Sequence, residues 1–372
     1  MRLLDINKLA GSIEEAASFD IGENNLYGSS YAVAQNGKTL YKGFFGTCGK
    51  DGAPVCESSV FRLASMTKPV TAFAMLLLVD RELVSLDDSV KKYIPGFDGI
   101  HVVDENGKDH GPAANDVKIL HLLTHTSGFG RIKPPRMTSE QRKTISSLVD
   151  YYIGAGLDFE PMSRQCYSAY AAFDVLAEIA EKVTGCCYEE FLKNEIFLPC
   201  GMRDTTFIPS QEQWRRMVSM HAKVLGKNGV GHTTEGCVFE SFPATHKLAG
   251  AGLISTLDDY MKFATMLLEK GQVNGKILMG EKTFSLLSTP HIPESIMPGV
   301  ERWGLGVRVI TSDSHTLPKG SFGWSGAYGT HFWVDPQNGI TAVFMKNSRH
   351  DGGAGNSSAV RFEKAVYSSF AE

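Results

Sequence analysis

The sequence predicts an α+β fold: an antiparallel sheet flanked by N- and C-terminal helices, with an inserted, mostly helical domain. Three observations predict it. Alternating runs flank Asn36-Gly37 near one end of the chain and Asn338-Gly339 near the other. Two such runs around Asn-Gly are a strong local signal for an antiparallel hairpin. Between about residues 84 and 205 the strand signal fades and helical spacing replaces it. Strands therefore do not alternate regularly with helices, which favours α+β over a parallel sheet.

The elements follow in order. Residues 6–17 have the spacing of an amphipathic helix. SSYAVAQ and KTLYKGFFG, joined by Asn36-Gly37, read as the first hairpin. Residues 65–81, SMTKPVTAFAMLLLVDR, have the length and apolar content of a buried helix. Pro69 falls in its first turns, where a missing N–H matters least. The stretch 100–116 is rich in Gly, Asp and Asn and is expected to be an exposed loop. SSLVDYYIGAGL and YAAFDVLAEIAEKVTG carry helical spacing, the second ending at Gly185 as a C-cap should. GLGVRVI, GTHFWVDP and ITAVFMKN read as strands, and SSAVRFEKAVYSSFAE as a final helix. The expected partition is a sheet domain of residues 1–84 and 206–372, with residues 85–205 inserted as the helical domain.

Composition narrows the function. The 372 residues carry 37 basic and 41 acidic side chains, a net charge of −4, with no basic run to form a nucleic-acid footprint. The longest apolar run, near residues 72–79, falls far short of the ~18 residues of a membrane span. The first residues, MRLLDINK, lack the apolar core of a signal peptide. Seven cysteines (Cys48, Cys56, Cys166, Cys186, Cys187, Cys200 and Cys237) are scattered and odd in number, which fits a reduced, cytoplasmic chain. Neither a metal nor an organic cofactor is implied. Of the eleven histidines, His121, His125, His246 and His331 have no local signature of a chymotrypsin-like triad.

Three elements can carry chemistry. Ser65-Met66-Thr67-Lys68 is a Ser-x-x-Lys, which on a helix puts both side chains on one face. A serine hydroxyl needs a neighbouring base to be nucleophilic, and a lysine serves if burial and nearby positive charge lower its pKa. The helix N-terminus favours negative charge developing near Ser65. The motif alone is weak: Ser89-Val90-Lys91-Lys92 repeats it in charged sequence that reads as a solvated helical face. Tyr167-Ser168 is the second element, because a phenol can relay a proton provided a nearby cation lowers its pKa. Alone, Tyr167 is more simply a packing residue. The third is the run Gly323–Gly329, GWSGAYG. Its three glycines before a strand imply close backbone approach, either to a substrate on a strand edge or at a tight bend. No G-x-S-x-G elbow occurs, which argues against an α/β-hydrolase.

Taken together, these elements resemble the penicillin-recognising serine enzymes. The branch in question holds class C β-lactamases, D-alanyl-D-alanine carboxypeptidases and β-lactamase-like carboxylesterases, a β-lactamase/transpeptidase-like fold. FRLASMTKPVTA, HLLTHTSGFG at 121–130, AGAGLISTLDDY at 249–260, Trp303-Gly304-Leu305-Gly306 and WVDPQNG at 333–339 are all similar to that branch. The resemblance implies that Ser65 forms an acyl-enzyme, that Lys68 holds or accepts its proton, and that Tyr167 is the general base. It implies an oxyanion hole from the backbone N–H groups of Ser65 and Ala327.

Two departures matter. The family's Tyr-x-Asn reads Tyr167-Ser168-Ala169, and Ala169 cannot hydrogen-bond a substrate amide through its side chain. Its Lys/His-Thr/Ser-Gly reads Trp324-Ser325-Gly326, and an indole carries no charge for a substrate carboxylate. Nucleophile and base are kept while the groups that read an acylamino carboxylate are replaced. The expectation is therefore a carboxylesterase acting on short acyl esters, with transacylation possible in chemical principle. Its substrate-binding set would be Trp324, Ser325, Gly326, Tyr328, Ala169 and Phe129, with Trp324, Tyr328 and Phe129 as apolar walls. The alternatives are a β-lactamase or D-alanyl-D-alanine carboxypeptidase, and a non-catalytic penicillin-binding-like protein. The expected partner is a small-molecule ester, with no nucleic acid and no membrane; the oligomeric state stays open.

Overall fold

The computed structural model describes residues 2–23, 25–49, 52–130, 144–223, 230–232, 247–351 and 353–371. Cys237 and His246 lie outside the described residues. The first hairpin forms as its sequence dictates. Asn36 (φ 53°) and Gly37 (φ 74°) both take left-handed conformations, so a two-residue turn joins the strands Gly28–Gln35 and Lys38–Gly46. The second hairpin, His331–Asp335 with Ile340–Lys346, has a wider, four-residue connection. The Asp335 carboxylate accepts from the N–H groups of Gln337 and Asn338 and builds a side-chain-supported turn there. The two turns abut: Gln35 Nε2 donates to the carbonyls of Arg2 (2.7 Å) and Asn338 (2.9 Å).

Seven antiparallel strands make the main sheet, in the order Glu301–Trp303, Arg308–Ile310, Phe322–Ser325, His331–Asp335, Ile340–Lys346, Gly28–Gln35, Lys38–Gly46. The two ends of the chain meet where Gly28–Gln35 pairs with Ile340–Lys346, in a register running from Ser29 opposite Lys346 to Gln35 opposite Ile340. On one face lie the helices Ile6–Gly22 and Ser357–Tyr367, sealing Leu9, Ile13, Tyr31, Val33, Trp333, Phe344 and Phe362. Against the other pack the helix Leu257–Leu268 and a larger core that includes Ala32, Phe332 and Val343. Covered on both faces, the strand Gly28–Gln35, second from the sheet edge, is buried at every residue.

None of the seven strands comes from residues 85–205, which supply the helices Ile119–Leu123, Ile145–Ala155, Ala171–Thr184 and Tyr188–Leu192. Gly185 (φ 71°) caps the third of these in the left-handed conformation, as its position predicts. The stretch 100–116 departs from expectation. It is a short antiparallel pair, His101–Val103 with Asp109–Pro112, instead of a plain loop. Asp104 Oδ1 accepts from the N–H groups of Asn106 and Lys108, which closes the turn, and Val103 N–H donates to Leu157 O. GLGVRVI yields a strand only at Arg308–Ile310. Its Gly306 (φ 66°) turns instead against the Thr67–Asp80 helix, where a Cβ would lie 2.7 Å from Ala72 Cβ and 3.1 Å from the Lys68 carbonyl oxygen. Among the described residues, no helix is long and apolar enough to cross a membrane.

Candidate active site

Ser65 sits in a single 3-10 turn, Ala64–Met66, that runs directly into the helix Thr67–Asp80. That helix is apolar on every side, and its first twelve residues are all buried. A lysine in its first turn is therefore carried into the interior. Lys68 is wholly buried, and its ammonium nitrogen donates to the carbonyls of Ala169 (2.7 Å) and Gly250 (2.8 Å). Ser65 Oγ lies 3.5 Å from the same nitrogen. Gly250 leaves that nitrogen its room, since a Cβ there would stand 3.1 Å from it. Burial lowers the Lys68 pKa to about 7, with the Asp174 charge acting in the opposite direction. Ala64, just before the nucleophile candidate, holds a left-handed φ of 47°, a costly conformation for a residue with a Cβ.

Asp174 is the titratable residue that the sequence reading missed. It is buried on the Ala171–Thr184 helix, accepting from Tyr152 OH (2.9 Å) and from Ala249 N–H (2.8 Å). Burial raises its pKa to about 7 against those two hydrogen bonds and the Lys68 charge. The only signal in the sequence is a carboxylate on the apolar face of AAFDVLAEIA.

Tyr167 is held by His125 from both sides. Cys166 N–H donates to the His125 carbonyl, and Ser168 N–H donates to His125 Nδ1 at 3.0 Å. Accepting at Nδ1 leaves Nε2 to carry the ring proton. Burial, then the Lys68 charge, hold this imidazole well below its ordinary pKa, so it stays neutral. The Ser168 hydroxyl accepts from Ala172 N–H and starts the following helix. Tyr167 packs with Trp303, Trp324 and His125, and Trp324 Nε1–H donates to its phenol oxygen at 3.2 Å. The condition that a nearby cation lower the phenol's pKa is not met. Burial pushes it up to about 12, although hydrogen bonds with Ser65 and Trp324 pull the other way. The Lys68 nitrogen sits 4.9 Å from the ring centroid, over the phenol's face.

Phe322–Ser325 is itself a strand, and its end is fastened beside the nucleophile turn. Thr330 Oγ1 donates to the Leu63 carbonyl at 2.8 Å, and Gly326 N–H donates to Thr330 O at 2.7 Å. A Cβ on Gly326 would lie 2.1 Å from Leu63 O, so only glycine allows this approach. Ala327 follows directly on the glycine that meets Leu63, and Leu63 stands two residues before Ser65 in sequence.

Three members of the expected substrate-binding set take other positions. Ser325 alternates with Trp324 along the strand, so its hydroxyl turns away to His331 Nδ1 (2.7 Å), whose Nε2 meets Glu363 (3.1 Å). Phe129 is a core residue, 1% exposed, whose ring neighbours are Phe97 and Tyr152. Tyr328 is buried, its ring under the Arg349 guanidinium and its carbonyl accepting from Ser348 N–H. Ala169 stays at the site through its backbone, its carbonyl accepting from Lys68. Trp324 and Gly326 remain at the site beside Ser65, Lys68 and Tyr167.

Comparison with known proteins identifies the family and the fold. The Beta-lactamase family profile matches residues 13–363. Protein Rv1367c of Mycobacterium tuberculosis is 30% identical over 320 residues, covering 79% of each chain. Esterase EstB of Burkholderia gladioli is 28% identical over 394 residues, covering 95% of this chain and 94% of its own. Among solved structures, EstCE1, described as a hydrolase with promiscuous acyltransferase activity, superposes with a TM-score of 0.79 at 22% identity. It covers 97% of this chain and 99% of that one. With the antiparallel sheet, the match along nearly the whole sequence and these relatives in view, the chain belongs to the Beta-lactamase family and is a serine hydrolase of the β-lactamase fold.

Proposed function

We propose that this protein is a cytoplasmic carboxylesterase in which Ser65 is acylated by short acyl esters, Lys68 is the base and Tyr167 relays the proton. One observation carries the reading: the two hydrogens of a neutral Lys68 amine are matched by two carbonyls, Ala169 and Gly250, which leaves its lone pair for the Ser65 hydroxyl. With its pKa near 7, a large share of Lys68 is already neutral at physiological pH. The proton of Ser65 passes to Lys68 as Oγ attacks the ester carbonyl. Negative charge on the carbonyl oxygen is met by the N–H groups of Ser65 and Ala327. The phenol, held protonated, donates to the departing alkoxide and is reprotonated from Lys68; the same groups in reverse activate the water that releases the acyl group. Trp324 fixes the phenol's orientation through its N–H.

Ester over β-lactam is supported by the position of Trp324, where an uncharged indole is bonded to Tyr167 and offers no cation to a substrate carboxylate. The test is p-nitrophenyl butyrate turnover with intact-mass detection of the acylated protein. Ser65→Ala is expected to lose both turnover and the acyl adduct. Turnover retained in that variant sinks the assignment, and nitrocefin turnover equal to ester turnover overturns the ranking.

A further inference from the structure

Away from Ser65, a cavity of about 520 Å³ is lined by Cys48, Cys56, Ser58, Ser59, Arg215 and Arg216, together with neighbouring backbone. It lies where the Lys38–Gly46 strand ends and the chain turns back toward Phe61. Two thiols meet one hydroxyl there: Ser59 Oγ is 3.6 Å from Cys48 Sγ and 3.8 Å from Cys56 Sγ. Both sulfurs therefore lie within 4 Å of a single oxygen. A short turn sets this up, with Cys56 N–H donating to Ser59 Oγ at 2.9 Å and Ser59 N–H to Cys56 O at 3.0 Å. Opposite, Cys48 N–H donates to Ala53 O.

The thiols are unequal. Cys56 is exposed, and its sulfur lies 3.2 Å from Ser58 Oγ. The Ser58 hydroxyl, and then that of Ser59, hold this thiol below its ordinary pKa. Cys48 is half-buried, and burial pushes its thiol up. An accessible thiol of lowered pKa beside a half-buried one of raised pKa is the arrangement of an attacking and a resolving cysteine.

We propose that Cys56 and Cys48 form an oxidant-sensitive thiol pair that closes to an intramolecular disulfide. In the first step the Cys56 thiolate attacks a hydroperoxide oxygen. An S–O bond forms, the O–O bond breaks, sulfur is oxidised to a sulfenic acid, and the peroxide is reduced to hydroxide or alkoxide. In the second step the Cys48 thiol, losing its proton, attacks the Cys56 sulfur; the S–O bond breaks and water leaves. The local motion required is for both thiols to give up their contacts with the Ser59 hydroxyl and turn toward each other. Because the partners sit on one loop, the second step is intramolecular.

The test uses the full-length, fully reduced protein and hydrogen peroxide. The intact mass is expected to fall by the mass of two hydrogen atoms. Lys50 lies between the two cysteines in sequence, so trypsin releases them on separate peptides that only the bridge holds together. The Cys48→Ser variant is expected to accumulate a dimedone adduct at Cys56, while Cys56→Ser leaves Cys48 unlabelled at the same dose. Recovery of Cys48 and Cys56 as separate free thiols overturns the proposal. So does a bridge from Cys56 to any other cysteine, or equal dimedone labelling of Cys48 in the Cys56→Ser variant. The wild-type mass depends on no variant folding, and no readout depends on ester turnover.

Discussion

At Lys68 the environment sets opposing demands. Burial favours the amine, and the Asp174 carboxylate favours the ammonium. The working base is the amine, so ester turnover should rise through pH ~7 as Lys68 loses its proton. Asp174→Asn keeps an acceptor for Ala249 N–H and a partner for Tyr152 OH, yet removes the charge that raises the Lys68 pKa. The acidic limb of kcat/KM for p-nitrophenyl butyrate is expected to move to lower pH in this variant; a limb that stays put or moves up refutes the coupling. Ser65, Lys68 and Tyr167 were legible as residues because a motif spaces them. Their electrostatics were not, because pKa depends on what packs around the group. Asp174 looked like one more acid on a helix, and the direction of the Tyr167 shift required knowing that its hydroxyl is enclosed.

At the scale of elements, the site rests on the union of the Gly326–Thr330 turn with Leu63. Thr330→Val removes one of the two hydrogen bonds that the buried Leu63 carbonyl accepts, the other coming from Met66 N–H, which should cost about 0.5–1.5 kcal/mol. Gly326→Ala drives a methyl into the same carbonyl and should lower turnover as well as stability, by displacing Ala327 from Ser65. Chemical denaturation and kcat on the two variants check both; wild-type kcat in Gly326→Ala would show that the union does not position the oxyanion donors. Elements were legible where local chemistry decides them. Asn36-Gly37 specifies its own turn, and Gly185 its own cap. The reading failed where side chains intervene: Asp104 closes what looked like loop, and Asp335 widens the turn expected at Asn338-Gly339. Phe129 was expected as an apolar wall of the pocket, but its ring packs in the core against Phe97 and Tyr152.

For the molecule as a whole, the two terminal helices are clamped by Arg361 on Asp20, a fully buried carboxylate. Arg361→Ala leaves Asp20 with only the Asn25 amide among the side-chain partners described, and should destabilise the fold by about 1–3 kcal/mol. Turnover per folded molecule should stay at the wild-type value, since the clamp lies on the face of the sheet opposite the Thr67–Asp80 helix. Thermal unfolding paired with active-site titration separates the two, and a loss of turnover at full folding refutes this division of labour. Fold class was legible at this scale because hairpin signals stand at both ends of the sequence and helical spacing between.

The pairing of the two chain ends carries a consequence for the ribosome. Gly28–Gln35 is buried throughout, yet its partner Ile340–Lys346 is translated about 300 residues later. At ~5–20 residues per second, the nascent chain waits about 15–60 seconds with one edge of its first hairpin open. Every other element of the sheet, and the wall behind Ser65, must be made before that edge can close. The vulnerable interval in this protein's life is therefore its synthesis, when an exposed strand edge invites pairing with a neighbouring chain.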